Sequence, residues 1–290
     1  MGLPSFITPI MGKSQPLLLL DAVTTATGGW SLRKLRAAYS GNCIRVRRSS
    51  DNTEQDIGFV GNVLDSSSLT TFVGANNGFV VTWYDQSGVG RNLTQTTATA
   101  QPLIVSSGTI VTEGTKSAVS FNGTTQFMNV AATLPTYPLL TTSHSLHLVG
   151  KSTLTGGASA GFINYRSTTP TDRPELRYGA LLGTSSLLYW NAGYAVNTLS
   201  GITTYSLHSA YYTPVSGVTV NGYRNGSSIF SGNRADNWSS SAAPIFQIGY
   251  YSVALAYRGG VMQEMIIWNT DKTSNRTTID SNVNSYYAIW

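Results

Sequence analysis

The chain has 290 residues, enough for one large or two modest domains. Charged residues are only 11% of it, against a usual ~25%, while 41% are hydrophobic, with 16 Tyr, 9 Phe and 6 Trp. That excludes a disordered chain, which lacks the apolar content to bury a core, and no apolar run approaches the ~18 residues of a membrane span.

Residues 1–16 show no periodicity and carry Pro4, Pro9 and Pro16, so they read as an extended arm. The same prolines and the lack of a charged front make a poor signal peptide. Residues 17–23 read as a short apolar strand. Residues 31–39 place Leu32, Leu35 and Ala38 at helical spacing, with Gly41 as a stop, and predict a helix. Residues 43–47 alternate apolar and arginine positions as a half-buried strand does. Residues 65–73 predict a short helix capped by Asp65 or Ser66. Residues 79–84, FVVTWY, are a β-branched and aromatic strand. After Gln101 the pattern is strand and turn, through short strands from 103–105 to 261–268. Asn122-Gly123, Asn221-Gly222 and Asn225-Gly226 read as tight turns. Residues 275–287 space Ile279, Val283 and Tyr286/Tyr287 as a closing helix. Short strands at this spacing predict an all-β, jelly-roll sandwich. The expected organisation is an arm over 1–20 and a single sandwich domain over 21–290.

The net charge is +5, and six of the 18 basic residues fall between Arg33 and Arg48. A nucleic-acid patch is one reading. Asp51, Glu54 and Asp56 follow at once, however, and ion pairing is the better expectation, so no nucleic-acid partner is assigned. Cys43 is the single cysteine, which rules out an internal disulfide and points to folding in a reducing compartment. His144 and His147 are three apart, on opposite faces of a strand, and cannot chelate one metal together. No metal or cofactor is expected. Residues 157–161 match G-x-S-x-G, but a β-type segment follows where a nucleophile elbow needs a helix. A hairpin loop is the simpler reading.

Two front segments stand out: residues 43–59, CIRVRRSSDNTEQDIGF, and residues 82–95, TWYDQSGVGRNLTQ. With Tyr39-Ser40-Gly41 before them, they resemble the catalytic domain of the arabinofuranosidase-B type α-L-arabinofuranosidases, glycoside hydrolase family 54. The resemblance covers about 60 residues, with a weaker match from Ile248-Gly249 to Gly259. It implies a concanavalin-like β-sandwich. The second half also resembles laminin-G-like sandwiches, and similar sandwiches recur in bacteriophage tail and virion proteins. The resemblance further implies where chemistry would sit. A retaining glycosidase needs two carboxyl groups ~5–5.5 Å apart. The family places its acid/base Asp shortly after an Ile-Gly, and Tyr251 stands there. Its nucleophile is a Glu ahead of paired asparagines, and residues 187–194 hold no carboxylate. The family's adjacent cysteine pair is missing too. Tyrosine, with a reference pKa of ~10, is a poor substitute acid. After residue 140 the remaining acids are Asp172, Glu175, Asp236, Glu264, Asp271 and Asp280. Glu264, inside VMQEMIIW, is expected to be a buried structural acid paired to an arginine or to backbone amides.

The expectation drawn from these residues is a non-enzymatic virion protein of a bacteriophage: a head-fibre, decoration or tail-fibre component. It would be made in the host cytoplasm and displayed on the virion surface. Residues 1–20 would anchor it to other virion proteins. It would form a homo-oligomer, with a trimer among the options, and would bind glycans without touching membrane. No catalytic residue is assigned. Tyr250, Tyr251, Trp190 and Asp85 are the candidate glycan contacts, the aromatics because rings offer apolar faces to sugar CH groups. For Asp85 an Asx-turn, with the side chain accepting backbone amides, is the better expectation. The alternatives are a diverged glycoside hydrolase of arabinofuranosidase type and a soluble lectin.

Overall fold

The computed structural model describes residues 17–130, 143–153, 161–166, 175–181, 184–190, 195–198, 204–213, 218–234, 245–251, 256–257 and 259–290. Over 161–198, and at a few strand positions beyond, only the backbone is described. The anchoring role given to 1–20 falls mostly outside these residues, as does most of the G-x-S-x-G segment.

The fold is the expected β-sandwich, antiparallel throughout its main sheet. One layer runs, in pairing order, through Glu54–Ile57, Ile44–Arg48, Gly78–Trp83, Leu93–Thr94, Met128–Val130 and Ile245–Ile248. It continues through Gly161–Arg166, Glu175–Leu181, Thr184–Trp190 and Ala195–Thr198. The other layer is centred on Gly259–Trp268. Ala26–Ser31 and Val119–Asn122 share one edge of that strand, and His144–Thr153 takes the other. Ser206–Thr213, Val218–Arg224 and Ser227–Arg234 extend it outward. Among the described residues one bridge, Ser120 to Leu103, links the layers.

Two apolar clusters follow from the alternation of side chains along each strand. Between the layers lie Trp30, Ile44, Val46, Trp83, Leu146, Leu148, Met265 and Ile267. Trp30 stacks on Phe246 across the gap, centroids 5.6 Å apart at 13°. The opposite parity of the same strands, Val149, Ile266 and Trp268, packs outward beneath Ile279, Val283 and Tyr287 of the closing helix Arg276–Tyr287. That helix covers a second hydrophobic face which a bare sandwich would leave wet.

Three local expectations fail, each to a tertiary contact. Residues 17–23 contain a helical turn, Leu19–Ala22, with Ala22 N donating to Leu18 O at 3.0 Å and Val23 N to Leu19 O at 2.8 Å. Adjacent Leu19 and Leu20 both enter the outer cluster, which alternating strand geometry forbids. Residues 31–39 are irregular after the strand Ala26–Ser31 ends. Their amides are taken by distant acceptors: Leu32 N by Gln263 O, Lys34 N by Asn62 O, Leu35 N by Gln86 Oε1 and Ala37 N by Asp21 Oδ2. Asn221-Gly222 lies inside a strand, opposite Tyr211 and Phe230 respectively. The true turn is Asn225-Gly226, both at positive φ (51° and 75°), the two-residue connection that suits a hairpin. The helix Ser66–Val73 forms as expected, with Asp65 Oδ1 accepting from Ser68 N at 2.9 Å and Gly74 closing it.

Candidate functional site

The front motif is a clasp. Asp85, 4% exposed, uses both carboxylate oxygens inside the protein. Oδ1 accepts from Gly29 N and Ser87 N at 2.8 Å each, and Oδ2 from Ser87 Oγ at 2.8 Å and Arg91 N at 2.9 Å. Gln86 is fully buried and bridges the chain to the region that failed to become a helix. Its Oε1 accepts from Leu35 N, and its Nε2 donates to Ser31 O and Arg33 O. Asp85 thus holds a turn and pins the edge strand 26–31; its oxygens are spent, and it offers no free acceptor to a glycan.

Two of the three arginines of the first segment, Arg45 and Arg48, pair with the acids that follow as expected. Arg45 makes a bidentate bridge to Asp56 at 2.9 and 2.8 Å, and Tyr84 OH donates to Asp56 Oδ1 at 2.7 Å. The Arg45 hydrogen bonds hold Asp56 below the usual carboxylate range. Arg48 pairs with Asp51, and Arg47 lies over Phe79 while donating to Gln101, Asn52 and Ala98 O.

Glu264 is a structural acid. It is 1% exposed and receives Arg33 Nε at 2.6 Å, Arg33 Nη2 at 2.9 Å, Ser31 Oγ at 2.8 Å and Tyr287 OH at 3.2 Å. The other described acids are likewise engaged: Asp21 with Ala37 N, Glu54 with Arg45, Asp65 with Ser68, Glu113 with Lys151, Asp271 with Thr273 and Asp280 with Arg276. Asp172 and Asp236 lie outside the described residues. Glu175 begins a strand, its backbone opposite Arg166.

Among the described residues no three His, Cys, Asp or Glu side chains gather to hold a metal. His144 and His147 face opposite sides of their strand, as their spacing requires. His147 is buried, bonded to Ser209 Oγ at 2.9 Å through Nδ1 and Tyr211 OH at 3.2 Å through Nε2, and edge-on to Trp268. Burial pushes its pKa down to about 3.

A different feature emerges on the outer face of the first layer. Strand register sets Asp56 opposite Arg45, Arg45 opposite Thr82, Thr82 opposite Thr94, Thr94 opposite Asn129 and Asn129 opposite Gln247. Directly opposed residues point to the same face. Their neighbours in sequence, Ile44, Trp83 and Leu93, point into the core. The result is a polar row crossing six strands. The backbone register continues it through Asn164, Arg177 and Tyr189. Tyr84, two residues beyond Thr82, borders the row. Phe127, two residues before Asn129, stands on the opposite border. It packs against Tyr250 at 5.1 Å and Tyr257 at 6.2 Å, and those two rings lie 4.6 Å apart.

Of the four candidate glycan contacts, Tyr250 is therefore in a half-buried aromatic cluster beside this row, and Asp85 is in the clasp. The backbones of Tyr251 and Trp190 pair with Ala256 and Ala195, and their side chains lie outside the described residues. Sequence reasoning missed Thr82, Thr94, Asn129 and Gln247. Each is an unremarkable polar residue, and only the pairing of distant strands aligns them. The available signal was the outward parity of Thr82 in FVVTWY.

The family model for the catalytic region of alpha-L-arabinofuranosidase B matches residues 22–143, the part that contains the clasp and the start of the polar row. The chain is similar to that sandwich. Three solved structures extend the likeness. They are a glutamate-to-glutamine mutant of a GH54 α-L-arabinofuranosidase soaked with 4-nitrophenyl α-L-arabinofuranoside (TM-score 0.65, 17% identity), a GH54 α-L-arabinofuranosidase soaked with a cyclic sulfate inhibitor (0.64, 17%), and an arabinofuranosidase complexed with arabinofuranosyl-α-1,2-xylobiose (0.61, 18%). Each match covers 93% of this chain and 64% of that chain, so this chain spans just under two thirds of their length. No curated protein matches it in sequence.

These likenesses overturn the bacteriophage reading. The head-fibre, decoration and tail-fibre roles rested on low charge, a polar composition and missing motif acids. Low charge and many Ser, Thr, Asn and Gly residues follow from a turn-rich sandwich of any function. What the chain is similar to instead is an arabinofuranosidase-B catalytic sandwich, by the family model over residues 22–143 and by fold.

Proposed function

We propose that this chain is a glycoside hydrolase domain of arabinofuranosidase type, acting on furanosyl-bearing carbohydrate. The observation that carries the reading is the match over residues 22–143 to the arabinofuranosidase-B catalytic model, continued by a shared fold over 93% of the chain. The outer face of the first layer supplies a surface of matching chemistry: hydroxyls and amides in a row, aromatic rings at its borders.

Hydrolysis with retention needs one carboxylate as nucleophile and one carboxyl group as acid and base. Ten of the chain's 13 acids already serve a turn, a cap or an ion pair, so the chemistry falls to Asp172, Glu175 and Asp236. Glu175 is the first choice. Its backbone position is two residues from Arg177, which continues the register of the polar row. The test is release of 4-nitrophenol from 4-nitrophenyl α-L-arabinofuranoside by the purified protein and by Asp172→Asn, Glu175→Gln and Asp236→Asn. Turnover that falls at least ~1000-fold in two of the three variants supports the assignment. Turnover untouched by all three refutes it.

A second reading, a carbohydrate-binding protein without turnover, is favoured by one observation: the two positions where the resembled family keeps its acids carry Tyr251 and the acid-free stretch 187–194. Saturable glycan binding with no 4-nitrophenol release selects it.

A further inference from the structure

The polar row has a length, a charge and a direction, and these describe a ligand. From Asp56 to Gln247 it crosses five strand gaps of ~4.8 Å each, about 24 Å in all. Between Asp56 and Gln247 the charges of the row are Arg45 and Asp56, which neutralise each other through two hydrogen bonds. Its middle is uncharged. The hydroxyls of Thr82 and Thr94 make no hydrogen bond within the described residues, and both side chains are half-buried. At the far end Gln247 is 7% exposed and donates Nε2 to Asn129 Oδ1 at 2.9 Å, which leaves its buried Oε1 without a donor among the described residues. A buried amide oxygen without a partner costs roughly 1–3 kcal/mol, so a site that keeps one is poised for an incoming hydroxyl. Aromatic rings flank the row on both sides, Tyr84 at one border and Phe127 with Tyr250 at the other. Nothing along it suits a single small sugar better at one position than at another.

We propose that this row is a binding lane for an unbranched neutral oligosaccharide lying across the strands. An extended glycan advances about one ring per strand spacing, so the described lane accommodates roughly five rings. Thr82, Thr94 and Asn129 hydrogen-bond ring hydroxyls, Gln247 Oε1 accepts from one at the end nearer Tyr250, and the bordering rings pack on CH faces. The inference deepens the proposed function: it makes the substrate a glycan chain, with the lane holding the part that is not cleaved.

The experiment is titration calorimetry with xylo-, arabino- and cello-oligosaccharides of one to eight rings, and with oligogalacturonates as the acidic control. In at least one neutral series affinity rises with each ring and levels off near five, while the acidic series binds at least tenfold more weakly. Thr94→Arg, which fills the middle of the lane from a half-exposed position, lowers the affinity of the six-ring ligand at least tenfold. A milder variant, Asn129→Ala, lowers it severalfold, and thermal melting confirms that both remain folded. Affinity that does not grow beyond two rings in any series, or that survives Thr94→Arg unchanged, overturns the lane. The two proposals separate cleanly. Length-dependent binding without 4-nitrophenol release keeps the lane and removes the hydrolase. Release with length-independent binding does the reverse.

Discussion

Arg33 and Glu264 meet in the interior as a bidentate pair, at 2.6 and 2.9 Å, with side chains 6% and 2% exposed. Tyr287 of the closing helix and Ser31 of the edge strand complete the cluster, and Arg33 Nη1 also reaches Asn282 Oδ1 at 2.9 Å. One ion pair thus ties the front of the sandwich, its central strand and its last helix. Removing one partner strands a buried charge. Glu264→Ala or Arg33→Ala is expected to lower stability by about 3–5 kcal/mol in urea titrations. The double change to Met at both positions is expected to recover a large part of that loss. A Glu264→Ala protein as stable as the wild type would remove the pair from this role.

Asp85 makes its contribution through backbone amides, so its loss should be felt as stability. Asp85→Ala frees Gly29 N, Ser87 N and Arg91 N at once. The expected cost is about 3 kcal/mol, since bonds to a charged acceptor are worth ~1.5–3 kcal/mol each and water recovers part. Oligosaccharide affinity of the folded fraction should be unchanged within twofold. A selective loss of affinity at full stability would return Asp85 to the ligand site.

Gly150 sits at the irregularity where His144–Thr153 shifts register against Gly259–Trp268. A Cβ there would lie 2.3 Å from Val261 O, which is backbone and cannot swing aside. Gly150→Ala should therefore separate the two central strands locally and cost more than about 3 kcal/mol, visible as a fall in melting temperature or as insoluble expression. Gly61→Ala, where nothing lies within 4 Å of the added carbon but φ is +58°, serves as the milder control. Its cost, from the left-handed backbone alone, should stay near ~1–2 kcal/mol.

His147 makes the protein acid-sensitive before most carboxylates titrate. Burial lowers its pKa to about 3, against ~6.5 in an unfolded chain. Below ~6.5 the unfolded chain therefore takes up a proton that the folded one refuses, and stability falls as pH falls, by ~1.4 kcal/mol per unit, until about pH 3. His208, lowered to about 3 by burial and by Arg224, acts in the same direction. Urea titrations at pH 7 and pH 5 should show a loss, and His147→Asn should shrink that loss by about 2 kcal/mol whatever it does to stability at pH 7. An unchanged pH dependence in the variant would refute the assignment.

Much of this architecture is written in local pattern. The alternation in 79–84, the Asp65 cap and the 3–4 spacing of Ile279, Val283 and Tyr287 each dictate a local conformation, and each forms. Pairing between the arginines and the acids that follow them was legible too, because all stand in one short segment; that Arg45 meets Asp56 is set by the hairpin register. Leu32, Leu35 and Ala38 carry helical spacing as clearly as the closing helix does, yet Gln86, Gln263 and Asn62 claim the amides that a helix would use. Those acceptors lie 28 to 231 residues away in the chain, and no window of sequence contains them together with residues 31–39.

The proposed binding surface divides in the same way. Periodicity and motif spacing are local properties, so the residues alone announce a β-sandwich, its arabinofuranosidase-like front and the places where the expected acids are missing. Thr82, Thr94, Asn129 and Gln247 come from four strands spread over 166 positions, and none is distinctive by itself. Strand register is set by which hydrophobic faces meet in the core, a property of the assembled sheets. A turn for Asp85 and a buried pairing for Glu264 could be expected from the residues, but only the tertiary structure names Gly29, Arg91 and Arg33 as their partners and brings a row of ordinary polar side chains into line.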